Sequence, residues 1–398
     1  MRNGIKRSLI LLFLLIPVFG GLFCAADEAS ELWSKLYKRV SSLQQKYEIM
    51  LNITDLHNRD LQPMLIASLD ELNLITRAAN TTEQRTLDEM KKIIVRELGN
   101  LKAAEAARSV WDVVKNTTDP FVRGEAITAI GMMRASDYIQ ELSLLLRNIN
   151  MLPAADRIRD AEVTAYACVL ALERFRDERG YRPVFDAADG WYSARSGVRE
   201  KARGALLSMV SDPTDLLTAI VIGDSTFSQK AFALAVMEGS SAVPERKVQV
   251  AAAALRQGLV HNPNNVTESR ELAKLRSQAV AMFISHGAKV PESVPMLEQV
   301  IKRDDADINE RLSAVQALGV NGSEAAAEVL AAFLTEQNRL MSAGAQPKDP
   351  SYREVRATIQ ALGLNGSVLG RPVLMEVEFS NWPNTIIREA KAALEQLK

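Results

Sequence analysis

The densest group of side chains that could bind a partner lies between residues 181 and 195. Aromatic rings and guanidinium groups alternate there, and both kinds of side chain are enriched at the energetic centres of protein interfaces. This composition predicts a contact surface for another protein. Val184, Phe185 and Trp191 could instead be the packed face of a helix, and both interpretations stay open. The candidate binding residues are Tyr181, Arg182, Phe185, Trp191, Tyr192 and Arg195.

Side chains that support catalysis or metal binding are scattered along the chain. The histidines, His57, His261 and His286, have no cysteine or second histidine at the spacing of metal ligands, and no phosphate-binding loop or nucleophile motif occurs. His286 precedes Gly287 and is expected in the last turn of a helix, where the helix dipole favours positive charge. Cys168 lies in an apolar helical segment and is expected to be buried. We therefore expect no metal and no cofactor, and predict that the chain is not an enzyme.

Asparagine occurs in several Asn-x-Ser/Thr sequences. Glycans would suit such sites in a secreted eukaryotic chain. Local hydrogen bonding in caps and turns between helices is the interpretation we favour. The asparagines are Asn52, Asn80, Asn116, Asn265, Asn321 and Asn365.

A repeated segment indicates which elements position these side chains. Residues 314–323, AVQALGVNGS, return 44 residues later as TIQALGLNGS at 358–367. Glycines recur at an interval of 32 residues, as between Gly99 and Gly131. A period of roughly 30–45 residues with helical patterning indicates a solenoid.

Each repeat is predicted to contain two helices joined by a turn. Ala314 and Ala317 lie one helical turn apart, so a neighbouring helix can approach closely. Gly319 is expected at the end of its helix, where a left-handed backbone favours a residue without a side chain. Ser323 and Ser367 are expected to cap the next helix. One such pair cannot bury its apolar face, whereas a stack of pairs can.

An Asp-Pro pair precedes two of the small-residue helices, at 119–120 and 349–350. The aspartate can cap the helix, and proline is tolerated in the first turn. The combination D-P-x-V-R followed by A-x-x-A-L/I-G resembles the HEAT-repeat family over roughly residues 83–398, best at 119–131, 307–319 and 349–363. The resemblance implies an all-α fold, a right-handed α-α superhelix of the armadillo-like kind with about eight helix pairs. It implies little about function, although some HEAT-like proteins resemble lyases or chromophore maturation factors.

The N-terminus has the features of an export signal. Three basic residues precede the apolar stretch 9–19, and Cys24-Ala25-Ala26 precedes the first acidic residues. We expect cleavage after Ala26. Two alternatives stay open: an uncleaved anchor, since residues 9–26 carry no charge, and a lipid on Cys24.

The predicted domains are a signal peptide at 1–26, an N-terminal helical cap at 27–82 and a HEAT-like solenoid at 83–398. The cap lacks the repeat pattern and is predicted to hold two helices, near 32–40 and 60–75, that cover the first repeat. A short coiled-coil contact with a partner is the alternative. The predicted helix pairs are 83–98 with 100–116, 120–133 with 137–148, 158–177 with 181–193, 197–210 with 213–222, 226–238 with 244–258, 268–286 with 291–302, 307–319 with 323–340 and 351–364 with 367–380, before a closing helix at 384–397.

Charge and composition limit the partner. The formal net charge is −1, so no basic excess indicates nucleic-acid binding. We predict a non-enzymatic scaffold or adaptor of the periplasm or cell envelope that binds another protein on the solenoid surface. One alternative is a structural envelope component held at the membrane by the uncleaved signal or a lipid. A second alternative is a lyase-like or maturation-type enzyme subunit.

Overall fold

The structure is a computed structural model, and it describes residues 31–75, 78–153, 158–287, 290, 292–303, 305–344 and 351–397. Every regular element in these ranges is a helix and none is a strand, so the all-α prediction is confirmed. The predicted signal peptide with Cys24, the start of the predicted cap, and the Asp-Pro pair at 349–350 lie outside the described residues. The chain divides into two compact units, Met1–Val210 and Ser211–Lys398.

Ten α-helices of the described residues lie in each unit. Those of the first unit are α1 (31–39), α2 (Leu43–Asp55), α3 (Gln62–Asn73), α4 (Thr81–Asn100), α5 (Ala107–Asn116), α6 (Pro120–Met133), α7 (Ile139–Asn150), α8 (Ile158–Phe175), α9 (Tyr181–Ala188) and α10 (Val198–Met209). Those of the second unit are α11 (Thr214–Ile222), α12 (Phe227–Gly239), α13 (Pro244–Val260), α14 (Val266–His286), α15 (Ser293–Lys302), α16 (Ile308–Asn321), α17 (Glu324–Ser342), α18 (Ser351–Asn365), α19 (Arg371–Glu376) and α20 (Asn384–Gln396).

Helices alternate between two layers along the chain in each unit. In the first unit α4, α6, α8 and α10 pack in succession, while α3 contacts α5 and α7 contacts α9. In the second unit α14, α16, α18 and α20 form one layer, and α13, α15, α17 and α19 form the other. Each helix pair therefore buries its apolar face against its sequence neighbours, an arrangement typical of α-solenoids.

From residue 83 onward a helix lies at each predicted position, although α5 begins at 107 instead of 100, α9 ends at 188 instead of 193 and α19 covers only 371–376 of the predicted 367–380. The region before residue 83 differs. Three α-helices lie between residues 31 and 73 instead of two, and α2 is the one that was not predicted. This helix buries only Met50, Ile53 and Thr54. It packs against α4, as α3 does against α5, and these contacts place both helices against the first predicted repeat.

Side-chain caps begin several helices as predicted. The carboxylate of Asp119 accepts hydrogen bonds from the N–H groups of Phe121 and Val122 at 2.7 and 3.1 Å, at the start of α6. The hydroxyl of Ser323 accepts one from the N–H of Ala326 at 3.2 Å, at the start of α17. These bonds satisfy backbone donors that the first helical turn leaves unpaired.

The glycines of the repeated motif lie within helices, so their predicted position at the helix end is wrong. A Cβ atom at Gly131 in α6 would lie 2.6 Å from the Cα of Ala171 in α8. One at Gly319 in α16 would lie 2.9 Å from the Cα of Ala361 in α18. Glycine is required because the two helix backbones touch, and the predicted close approach is confirmed. The same contact joins Gly99 to Ala129 and Gly363 to Ala393.

The left-handed residue comes three positions after the motif glycine. In the second unit it is Gly322 after α16 and Gly366 after α18. In the first unit it is Lys102 after α4 and Arg134 after α6, and Arg176 follows α8 in the same conformation, all with φ between 54° and 56°. A side chain in this conformation costs roughly 1–2 kcal/mol. That exceeds the roughly 0.3–1 kcal/mol that a cation gains at a helix C-terminus.

A buried ion pair joins three helices of the second unit. The guanidinium of Arg276 in α14 donates to both carboxylate oxygens of Glu310 in α16, at 2.5 and 3.2 Å, and to the carbonyl of Gly258 in α13 at 3.2 Å. Both charged side chains are at most 3% exposed. A Cβ atom at Gly258 would lie 2.6 Å from Cγ of Arg276, so this glycine makes room for the arginine.

Candidate binding site

The six predicted binding residues divide between the core and the surface of the first unit. Tyr181 and Phe185 are fully buried and Tyr192 is 1% exposed, so none of the three can contact a partner. Their predicted binding role is wrong. The packed helix face of the alternative interpretation is observed for Phe185 in α9, beside Tyr181, whereas Tyr192 is buried after α9 has ended. Arg182 and Arg195 are exposed, and Trp191 is half-buried.

The aromatic residues of α9 belong to the packed interior of the first unit. In α9, Val184 and Ala188 are also fully buried, so the helix is almost surrounded and its aromatic rings fill the space between neighbouring helices. Burial raises the pKa of the Tyr181 phenol well above its usual range. The Tyr181 hydroxyl is buried and has no hydrogen-bond partner in the described part of the chain.

Trp191 and Tyr192 anchor the segment between α9 and α10. Their rings stack with centroids 4.5 Å apart. The indole N–H of Trp191 donates to the carbonyl of Ile149 at 3.2 Å, and the Tyr192 hydroxyl donates to Oδ1 of Asn150 at 2.5 Å. Both acceptors lie at the C-terminal end of α7. The aromatic part of the predicted patch therefore supports the segment that carries Arg195.

A buried carboxylate fixes the same segment from the opposite side. Glu162 in α8 is 8% exposed, and its Oε1 accepts the backbone N–H of Ser193 at 2.7 Å. Hydrogen bonds between an ionised carboxylate and a backbone N–H are short and strong. Residues 191–195 are thus held against both α7 and α8.

A cavity of about 720 Å³ opens between this segment and the first half of α8. The Tyr166 side chain, 37% exposed, lines it beside the exposed guanidinium groups of Arg159 and Arg195. An aromatic ring, two guanidinium groups and hydroxyls suit the capture of a partner's side chain. The cavity is lined by Arg159, Glu162, Val163, Tyr166, Ser193, Arg195 and Ser196.

Among the six predicted binding residues, Arg195 is the one that lines the cavity. Arg182 lies on α9, donates to Asp186 at 2.9 Å and does not line the cavity. Tyr166 was not predicted as a site residue, because its neighbours in α8 are small and apolar and indicated a core helix. The signal that could have found it is a large aromatic side chain on an otherwise Ala-rich helix.

Replacing each of the two buried tyrosines by phenylalanine should change the free energy of unfolding differently. Tyr192→Phe removes the bond to Asn150 and leaves that amide oxygen without its donor, so we expect a loss of about 1–2 kcal/mol in the free energy of unfolding. Tyr181→Phe removes a hydroxyl that has no partner, so we expect no loss and a gain of up to about 1 kcal/mol. Urea unfolding of both variants measures the difference, and an equal loss in both would contradict it.

Other residues singled out in the sequence have structural roles. Cys168 is fully buried, and burial raises the pKa of its thiol to about 12. His286 ends α14, as predicted, and its Nε2 lies 2.7 Å from a carboxylate oxygen of Glu238. Asn80 and Asn265 cap α4 and α14 by accepting backbone N–H groups, which confirms the capping interpretation for them.

The turn asparagines also bond locally. Oδ1 of Asn321 accepts the N–H of Ser323, and Oδ1 of Asn365 accepts the N–H of Ser367, both at 3.3 Å. The Asn365 amide also donates to the carbonyl of Ser323 at 3.2 Å, which connects one turn to the next. Local hydrogen bonding therefore explains why asparagine recurs at this position of the repeat.

Within the described residues, no group of three or more His, Cys, Asp or Glu side chains is arranged to hold a metal ion. No helix in that part of the chain combines the length and apolar character needed to cross a membrane.

Comparison with known proteins gives little similarity. No protein-family model matches the chain, and no curated protein matches it. Solved structures do match, among them human deoxyhypusine hydroxylase, at 15% sequence identity over 86% of this chain and 97% of that one, with a TM-score of 0.27. A TM-score this low carries no inference about fold or activity.

The prediction that the chain is not an enzyme is nevertheless corrected. Human deoxyhypusine hydroxylase, the solved structure named above, is an enzyme by its name, which is a statement about that protein and not about this chain. The absence of a catalytic motif in the sequence was the only basis for that prediction, and we do not retain it.

Proposed function

We propose that this chain is a HEAT-type solenoid that binds another protein, and that the cavity beside α8 receives a side chain of that partner. In this proposal the helix pairs, about eight in number, wind as a right-handed superhelix. The alternation of helices between two layers and the repeated Gly–Ala contacts within each unit support it. Residues 1–26 would export the chain, so the partner would be a protein of the periplasm or cell envelope.

The observation that carries the binding proposal is the way the cavity is built. Exposed Tyr166 and Arg195 face a common space of about 720 Å³, and their supporting segment is fixed by Glu162, Trp191 and Tyr192. A rigid support reduces the entropy lost on binding. Tyr and Arg are also the side chains most enriched among interface residues that contribute strongly to affinity.

The test uses the chain as bait for envelope proteins. We expect wild-type chain to retain one or a few proteins that the Tyr166→Ala/Arg195→Ala variant loses, with affinity for the purified captured protein reduced at least about tenfold. Titration calorimetry with that purified protein gives the number. Neither truncated side chain is buried, so the helical content should not change.

A matched variant controls for the loss of one aromatic ring and one positive charge. Phe121→Ala/Arg108→Ala removes the same two kinds of exposed side chain from the first unit, away from the cavity. Its affinity for the captured protein should equal that of the wild type. Equal affinity of all three chains would refute the cavity as the binding site.

A further inference from the structure

Three basic residues occupy equivalent left-handed positions along one edge of the first unit. Arg134 and Arg176 directly follow α6 and α8, and Lys102 lies two residues after the last residue of α4; these helices of one layer pack in succession. In the second unit, Gly322 and Gly366 hold the matching positions. The first unit therefore keeps cations where glycine would relieve backbone strain. Strained residues that persist in a fold point to a function for their side chains.

These cations line a common groove of about 500 Å³. All three are exposed, and none has a side-chain partner among the residues that the structure describes. Arg174 adds a fourth cation, whose guanidinium makes a long hydrogen bond of 3.4 Å to the carbonyl of Thr128. The groove is lined by Lys102, Gly131, Met132, Arg134, Glu173, Arg174, Arg176 and Ser208.

The single carboxylate of the groove is already neutralised. Glu173 lies 2.5 Å from the ammonium of Lys201 and accepts the Ser208 hydroxyl at 3.4 Å. Four cations therefore face the groove without a matching anion inside it. Backbone bonds from the N–H groups of Ala103 and Ala135 to the carbonyls of Leu98 and Ile130, at 3.0 and 3.3 Å, stabilise two of these left-handed turns, but glycine would make the same turns with less strain.

We propose that this groove binds an acidic peptide segment of a protein partner, whose carboxylates pair with Lys102, Arg134, Arg174 and Arg176. Guanidinium groups bind carboxylates with two parallel hydrogen bonds. The proposal rests on the proposed function only in taking the ligand to be a protein. The groove is a different surface from the cavity beside α8, because the two share no lining residue.

The surroundings of the groove favour a short acidic peptide over a longer polyanion. Each of the three left-handed cations is followed within three residues by an exposed acid, namely Glu105, Asp137 and Glu178. An extended nucleic acid or an anionic membrane would meet these carboxylates along the same edge. A peptide can place its carboxylates at the cations alone.

The test measures fluorescence anisotropy of a labelled peptide of alternating Glu and Ser with the full chain. We expect binding that weakens between about 50 and about 200 mM salt, because exposed charge pairs are screened. The triple variant Lys102→Gly/Arg134→Gly/Arg176→Gly should lose about tenfold in affinity. Its thermal midpoint should not fall, because glycine removes strain at a positive φ.

Three controls define the outcomes that overturn the proposal. A peptide with Gln in place of Glu should not bind, and equal binding of both peptides refutes it. The variant Arg59→Gln/Arg108→Gln/Arg199→Gln loses the same net charge at exposed positions outside the groove, and it should bind the acidic peptide normally. An equal loss in that variant would show a net-charge effect and refute the groove.

A single-stranded oligothymidine and vesicles containing phosphatidylglycerol complete the comparison. If either binds in a groove-dependent way while the acidic peptide does not, the ligand is a nucleic acid or a membrane and the proposal is wrong. Because the peptide is a synthetic probe, the groove can fail to bind it while the cavity still captures its protein. The groove can equally bind the peptide while the cavity captures no protein. The two proposals therefore stand or fall separately.

Discussion

Glu310→Ala is expected to lower the free energy of unfolding of the second unit by about 3–5 kcal/mol, because it leaves a buried guanidinium without its counter-ion. The Arg276 side chain is 2% exposed, and Glu310 is the carboxylate of the described residues that lies at hydrogen-bond distance from it, with Asp305 3.9 Å away. Its remaining bond goes to the neutral carbonyl of Gly258. Urea unfolding followed by circular dichroism measures the loss.

Two further variants show that burial is the cause of this effect. Arg276→Met/Glu310→Leu removes both charges and should recover much of the stability, since apolar replacements of buried ion pairs are often neutral. Glu336→Ala breaks the exposed i,i+3 pair with Arg339 in the same unit and should cost less than about 1 kcal/mol. Similar losses for Glu310→Ala and Glu336→Ala would contradict the account of the buried pair.

Gly131→Val should produce the second large effect, with a loss of at least about 1–3 kcal/mol through overpacking. Even the first added carbon would lie 2.6 Å from the Cα of Ala171, which is backbone and cannot rotate away. The helices α6 and α8 must then separate, and the apolar contacts on either side of the glycine are lost. Urea unfolding gives the size of the effect.

Gly204→Ala is the matched control, and its expected effect has the opposite sign. Gly204 lies in the interior of α10, and an added Cβ would have no neighbour within 4 Å. Alanine should therefore stabilise the helix by about 0.5–1 kcal/mol. Destabilisation by Gly204→Ala, or tolerance of Gly131→Val, would show that the close helix contact is not what selects glycine in the motif.

Features set by neighbouring residues in sequence were predictable. Asp119 and Ser323 cap their helices as expected, because a cap depends only on the next two or three residues. The positions of the helices after residue 83 follow from apolar periodicity in the same way. The missed helix, α2, carries Leu43, Tyr47 and Met50 at helical spacing, so the same pattern indicated it and was overlooked.

Features set by packing were predicted less well. The motif glycines were assigned to helix ends because glycine serves both left-handed turns and close helix contacts, and the sequence does not distinguish the two uses. The distinction at Gly131 comes from Ala171, which lies 40 residues away in the next helix pair. Positive φ at Lys102 and Arg134 also has no local signature, since neither residue type favours that conformation.

At the candidate site, too, the sequence indicated the region but not which residues packing would bury. Aromatic and basic residues between 181 and 195 were a sound indication of an unusual region, but burial decides which of them can meet a partner. Tyr181 and Tyr192 are enclosed by other helices, whereas Arg195 and Tyr166 remain accessible. Sequence patterns do not reveal that enclosure, because Tyr166 and Arg195 come together only through the packing of α8 against the segment after α9.

Hydrogen–deuterium exchange of the chain, alone and with its captured protein partner, tests the binding site most directly. The account predicts that the partner slows exchange at residues 159–166 and 193–196, with little change in α9, which contributes no residue to the cavity lining. Slowed exchange confined to helices that do not border the cavity would contradict it.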